Sequence, residues 1–226
     1  MIREYLRRLL LLLGGLVVSS VGITMMLQAN VGLEPWSVLQ QGLSKTFGMT
    51  YGAASIIVGT VVTCAAIACG ESFGVGTIAN IFVCGPIIDG MQALHCIPLM
   101  HTLPSGILML LGGLELLALG TWLYMKSALG AGPRDSLMVV LARKTHRSVG
   151  LCRAVVELGC ILTGWLLGGQ VGIGTVISAV GLGSLFNLNF ALLHFVPTSL
   201  HQENLSETIR RLRHQTPEED ETTPNL

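Results

Sequence analysis

Charge is scarce in this sequence. Asp, Glu, Lys and Arg make up 12% of its 226 residues, against about 25% in soluble globular domains. Hydrophobic residues make up 51%, and that balance excludes a water-soluble domain. The formal net charge is zero, so no basic excess points to nucleic acid, which we exclude as a partner. Six cysteines are present, yet no C-x-x-C or zinc-finger spacing occurs. Cys64, Cys69, Cys84 and Cys160 lie in apolar stretches, where a thiol packs as a small hydrophobe. His95, Cys96 and His101 are of metal-ligating types, but no fourth ligand stands at a recognisable spacing. Neither a metal nor a cofactor is expected. No nucleophile and base are paired in the sequence either, so an enzyme is not expected. A cleavable leader is also missing: Arg3, Arg7 and Arg8 precede the first apolar run, but it is too long and lacks a small-residue cleavage site, and it reads as a retained span and signal anchor.

Long apolar runs are what the sequence has instead. Residues 9–27 are almost wholly apolar, and about 19 residues rising roughly 1.5 Å each cross the ~30 Å hydrocarbon layer. Further spans are expected over 51–69, 77–94, 105–124, 148–167 and 175–196, the third broken or kinked near Gly85-Pro86. Two shorter segments, 35–45 and 134–147, are amphipathic and too short to span. They lie in the interface or dip into the protein, where a broken backbone is tolerated if it is shielded from lipid. Past Pro197 the character changes, with a short surface helix expected over 201–214 and a disordered acidic tail over 215–226.

The segment Gly32-Leu33-Glu34-Pro35-Trp36-Ser37-Val38-Leu39 returns as Gly130-Ala131-Gly132-Pro133-Arg134-Asp135-Ser136-Leu137, an offset of 98 residues. In each copy an apolar run ends, a glycine breaks it, and a proline stands where a short helix can begin, since its missing N–H would have had no partner there. The same ungapped offset relates Leu12-Leu13-Gly14-Gly15-Leu16 to Leu110-Leu111-Gly112-Gly113-Leu114, Gly22 to Gly120, Gly52 to Gly150, Gly70 to Gly168, and Gly74-Val75-Gly76-Thr77 to Gly172-Ile173-Gly174-Thr175. Leucine-rich helices match one another by chance; glycines and prolines held in one register do not.

Three spans per copy is an odd number, so the second copy enters the membrane upside down. Lys and Arg collect in cytoplasmic loops. Arg3, Arg7 and Arg8, then Lys126, Arg134, Arg143, Lys144 and Arg147, then Arg210, Arg211 and Arg213 all fall on one side of a six-span chain. The other side carries Lys45. The expected fold is therefore all-α: a polytopic membrane helix bundle of six transmembrane helices in two inverted three-helix repeats, each with a short amphipathic or re-entrant helix after its first span. The repeats cover 1–94 and 105–197, with an outer linker at 95–104 and a cytoplasmic tail at 198–226. Both termini face the cytoplasm. Transporters use this architecture, with sites where broken helices meet between the repeats.

Candidate residues for a substrate path follow from these joints. Glu34, Pro35, Trp36, Ser37 and Gln40 stand at the first; Pro133, Arg134, Asp135 and Ser136 stand at the second, where the dipole and unpaired N–H groups of a helix start attract anions. Ser37 and Asp135 serve as helix caps, as path-lining groups, or as both. Gly74-Val75-Gly76-Thr77-Ile78-Ala79 fits a dinucleotide fingerprint literally, but no strand precedes it. Close helix packing is the plainer reading, with Thr77 and Thr175 starting the next helices and exposed glycine backbone near a solute as the alternative. Asn80 adds polarity near a span end. Arg153 and Glu157, four residues apart, share a helix face and either neutralise each other or mark a pathway. Glu115 has no such neighbour in sequence; buried without a cation it would favour its protonated form, which makes it a candidate for proton coupling.

The joint motifs carry a family resemblance. Gly32-x-x-Pro35-Trp36-Ser37-x-Leu39 with Gln41-Gly42-Leu43-Ser44, then Gly74-x-Gly76-Thr77, then Gly130-x-Gly132-Pro133-Arg134-Asp135-Ser136-Leu137 resemble the YczE-type bacterial integral membrane proteins, grouped with the YitT-type families. The resemblance spans roughly residues 10 to 195 and departs at Ser37, where the family usually has aspartate. It implies a multi-pass protein of the bacterial inner membrane. The expected function is a secondary transporter or exporter of a small polar solute; the alternative is a non-transporting scaffold or regulator acting through the basic cytoplasmic segment. The expected partners are membrane lipid and an unidentified solute, with a homo-oligomer left open.

Overall fold

The structure, a computed structural model, describes residues 2–71, 73–130, 132–195, 203 and 205. Apart from 203 and 205, the expected surface helix and acidic tail lie outside them. Eight α-helices and no strand occur among the described residues: α1 (Ile2–Ala29), α2 (Pro35–Phe47), α3 (Tyr51–Ala68), α4 (Val75–Ala93), α5 (Leu103–Lys126), α6 (Pro133–Thr145), α7 (Val149–Leu166) and α8 (Ile173–Leu192). Five of these, α1, α3, α5, α7 and α8, are long and apolar enough to cross a membrane. The remaining long helix, α4, has 19 residues but carries Asn80, Asp89 and Gln92.

Local chemistry explains the boundaries. Prolines 35 and 133 open α2 and α6 at the first helical position, where the missing N–H costs nothing. Thr50 and Ser148 cap α3 and α7, their hydroxyls accepting from the N–H of Ala53 and Leu151 at 3.1 and 3.3 Å. At the starts of α4 and α8 the Thr77 and Thr175 hydroxyls accept from the N–H of Gly74 and Gly172 at 3.3 and 3.2 Å; the helices begin two residues before the threonines expected to start them, which close the first turns from the third position. Of the break or kink expected near Gly85-Pro86, the break does not occur: α4 runs through Pro86 as one helix. Gly85 instead lets α4 lie against α3, since a Cβ there would stand 2.7 Å from the Gly52 carbonyl oxygen.

The centre is the α1–α5 pair. A Cβ on Gly22 would lie 2.6 Å from Gly113 O, and one on Gly15 would lie 2.8 Å from Gly120 O. As α1 advances, its contacts retreat along α5, so the two helices are antiparallel, backbone against backbone. These contacts exchange at the offset of 98, because Gly15 corresponds to Gly113 and Gly22 to Gly120. Other packing exchanges in the same way: α2 lies on α7 as α6 lies on α3, and α1 on α4 as α5 on α8.

Each joint is fastened to the opposite half. Gly174 N–H donates to Val31 O at 2.8 Å, and Gly76 N–H donates to Leu129 O at 2.8 Å. Gly32 and Gly130 have φ of +113° and +127°, a region open to glycine and costly for other residues. The core is apolar, with Leu12, Leu16, Leu110 and Leu114 all fully buried. Leucines and valines of α1, α5, α7 and α8 stand exposed around the outside, among them Leu10, Leu108, Leu162 and Val180. An exposed apolar surface of that extent fits lipid and not water.

Candidate functional site

The site begins with Glu34. It precedes Pro35 in extended conformation and caps α2 with its side chain: Oε2 accepts from Trp36 N–H at 3.3 Å, and Oε1 from Ser37 N–H at 3.1 Å and from Ser37 Oγ at 2.9 Å. A carboxylate at a helix N-terminus satisfies unpaired N–H groups and answers the positive end of the dipole. The cap is thus Glu34, one turn earlier than the expected Ser37, whose own hydroxyl is spent on Glu34. Both residues are buried.

Glu34 then reaches across the molecule. Arg134, in the first turn of α6, donates from Nη1 to Glu34 Oε1 at 3.1 Å, and its guanidinium lies 5.2 Å from the Trp36 ring centroid. A flat, weakly hydrated guanidinium suits both a carboxylate and an aromatic face. The starts of the two short helices, assigned by charge to opposite membrane faces, therefore meet. Behind them the Tyr51 hydroxyl lies 2.8 Å from Ser37 Oγ and 2.6 Å from Gln40 Oε1, one donor between two acceptors.

This junction forms one wall of a chamber of about 130 Å³, which exceeds the roughly 10–15 Å³ one water requires. Trp36, Gln40, Asn80 and Pro133 line it with Glu34 and Arg134. The far wall carries Arg153 and Glu157, joined Nε to Oε1 at 2.7 Å, with Arg153 over the Phe186 ring at 5.8 Å. The expected i,i+4 pair is formed, and it faces the chamber.

Other candidates are placed elsewhere. Pro35 and Ser37 are buried behind the wall. Thr77 and Ser136 border a separate small recess beside Pro133, and Thr175 is engaged at the start of α8. Asp135 lies in the first turn of α6, with its side chain outside the described residues. Glu115 is half-buried in the middle of α5 and is not among the residues lining the chamber. No group of three or more His, Cys, Asp or Glu able to hold a metal occurs among the described residues.

Sequence reasoning missed Tyr51 and Ser19. Ser19 of α1 lines the chamber, and its hydroxyl is buried and has no hydrogen-bond partner among the described residues. A signal existed for it: Ser19 falls on the stripe of Leu12, Leu16, Ile23 and Met26, the face α1 turns inward. Tyr51 had no such signal, because its partners are set by how α3 returns beside α2.

Apolar helices around a chamber lined by charged residues define an integral, multi-pass helical membrane protein. Within that class the chain belongs to a family described as a family of unknown function, DUF6198, whose model matches residues 6–189. It is 30% identical over 180 residues to the uncharacterized membrane protein YczE of Bacillus subtilis, covering 79% of this chain and 82% of that one. It is 32% identical over 187 residues to an uncharacterized protein of Haemophilus influenzae, covering 83% and 85%, and 25% identical over 186 residues to the uncharacterized protein YyaS of Bacillus subtilis, covering 80% and 92%. The resemblance to YczE-type membrane proteins holds. No solved structure matches the chain.

Proposed function

We propose that the protein is a secondary transporter or exporter that carries a small polar solute across the bacterial inner membrane, with the chamber as its binding site. The observation that carries this reading is the meeting of the two short helices through Glu34 and Arg134 at a charged chamber between the repeats. Ionisable groups at membrane depth are costly, and by default they mark a pathway. The scaffold reading calls for a solid apolar interior at this place, so the chamber favours transport. The chamber is read as a binding site and not as a site of bond chemistry, since its four charged side chains are matched into two ion pairs.

In this reading the bundle has six spans in two inverted repeats, with α2 and α6 re-entrant. The antiparallel α1–α5 pair and the exchange of contacts at the 98-residue offset support the inversion. As the sixth span, α4 has its polar groups turned inward: Asn80 lines the chamber, and Asp89 Oδ1 accepts from Gly52 N–H at 2.8 Å. Arg8, Lys126 and Arg143 mark the cytoplasmic end.

The test is solute flux in proteoliposomes containing the purified full-length protein. Solute should accumulate or exchange above protein-free vesicles. Arg134→Gln should lower the flux about tenfold or more, the scale of one lost charge-assisted contact. Glu115→Gln should remove any dependence on an imposed pH gradient, which is the role left to a carboxyl on α5 outside the chamber. Undiminished flux in both variants would sink the assigned roles.

A further inference from the structure

We propose that the chamber binds a small zwitterion, a solute of amino-acid size bearing one carboxylate and one ammonium group. The proposal deepens the transport reading and rests on it for the solute's passage, while binding itself is separately measurable.

The argument starts from charge balance. Four charged side chains line the chamber, Glu34 and Glu157 against Arg134 and Arg153, and they cancel. A lone anion or cation would leave a net charge at membrane depth, which is expensive. A zwitterion adds none.

The two carboxylates are not equivalent. Glu34 is filled by the α2 helix start, by the Ser37 hydroxyl and by Arg134. Among the described residues Glu157 accepts from Arg153 Nε alone, at Oε1, which leaves Oε2 as an acceptor for an ammonium. The guanidiniums offer the complementary group. Arg134 and Arg153 each spend one of the five N–H donors of a guanidinium on a glutamate, and among the described residues the others are uncommitted. A guanidinium fork with spare N–H groups is matched to a carboxylate. Arg134 remains 32% exposed and Arg153 37% exposed, so both are reachable. Trp36 and Phe186 lie under the two guanidiniums and restrict their orientation.

The wall also accommodates the rest of such a solute. Ser19 Oγ, buried and without a partner among the described residues, and Asn80 supply polar contacts, while Ile23, Val58 and Leu182 supply apolar surface. This mixture of a few convergent polar groups on an apolar wall is the usual make-up of a small-molecule site.

The experiment is calorimetric titration of the full-length protein in lipid nanodiscs with the monoamino-monocarboxylic amino acids. Parallel titrations use propionate, ethylammonium, glycerol and inorganic phosphate. At least one amino acid should bind saturably, and the analogues lacking either charge should bind about tenfold or more weakly, the scale of one charge-assisted hydrogen bond. Glu157→Gln and Arg153→Lys should weaken the amino acid by a similar factor, whereas Arg143→Gln, outside the chamber, should not. The analogue series is read on the unmodified protein and decides the matter even if a variant fails to fold. Equal binding of propionate or phosphate would make this an anion site and overturn the proposal, as would the absence of binding by every amino acid. Binding without flux in proteoliposomes would remove the transport reading and leave this inference standing. Flux of a solute with a single charge or none would do the reverse.

Discussion

Glu34 holds a charge in a place where a charge is tolerated only if it is matched, and it is matched four times over. Three of its contacts come from its own helix start, and the fourth comes from a residue 100 positions later. Removing it strips the cap from α2 and leaves Arg134 without its counter-ion. Breaking one side of a buried pair and losing a cap should together cost on the order of 3 kcal/mol, toward the low end because Arg134 is partly exposed. We expect Glu34→Ala to lower the midpoint of reversible detergent unfolding by that amount, and the double variant Glu34→Ala with Arg134→Met to recover part of it. A double variant no more stable than the single one would mean that the pair is not coupled.

At the scale of elements, the glycines decide which helices touch. Gly22 and Gly113 bring the α1 and α5 backbones together, and small residues at such crossings replace the hydrophobic driving force that helices lack inside lipid. Gly14, the residue before Gly15 and so about 100° away around the same helix, has nothing among the described residues within 4 Å of a built Cβ. Gly22→Ala should therefore destabilise the protein by about 1–3 kcal/mol through overpacking, while Gly14→Ala should be neutral or slightly stabilising. Equal loss of stability in the two variants, measured by the same unfolding titration, would contradict the close crossing. Much of this level was legible in the sequence, because glycine, proline and the capping Thr50 and Ser148 act on their own neighbours. The expected limits of α2, α3, α7 and α8 fall within a few residues of those observed. That α4 stays helical through Pro86 was not legible from the Gly-Pro pair alone, and neither was the close approach of Gly85 to Gly52 on α3. The site was legible in its parts and not in its assembly. Both joints and the Arg153–Glu157 pair could be singled out by residue type and spacing, but that Glu34 meets Arg134 depends on two helix starts converging from separate halves. Assigning Ser37 as the cap followed the residue preference at N-caps; a glutamate with its side chain folded back onto the first turn serves the same donors.

At the scale of the whole molecule, the 98-residue offset pairs glycines, prolines and helix contacts between the two halves, while the charges break that correspondence. Glu34 corresponds to Gly132, Trp36 to Arg134, and Ser37 to Asp135. The chamber's central ion pair therefore joins a carboxylate from one half to a guanidinium that stands where the other half has tryptophan. The repeat supplies two short helices of 13 residues each, and the difference in their side chains supplies a matched pair between them. That relation also fixes what topology must be found. If the halves are inverted, the linker after α4 and the segment between α6 and α7 lie on opposite sides of the membrane, with the basic end inside. Cys96 is exposed in the first of these regions, and His146 and Arg147 are exposed in the second. In a variant retaining Cys96 as its only cysteine, a membrane-impermeant maleimide added to spheroplasts should label the protein. With cysteine instead placed only at His146, labelling should require lysis or inside-out vesicles. Labelling of both sites from the outside, or of neither, would overturn the inverted arrangement, because the two positions would then share a face and the halves could not be related by a twofold axis in the membrane plane.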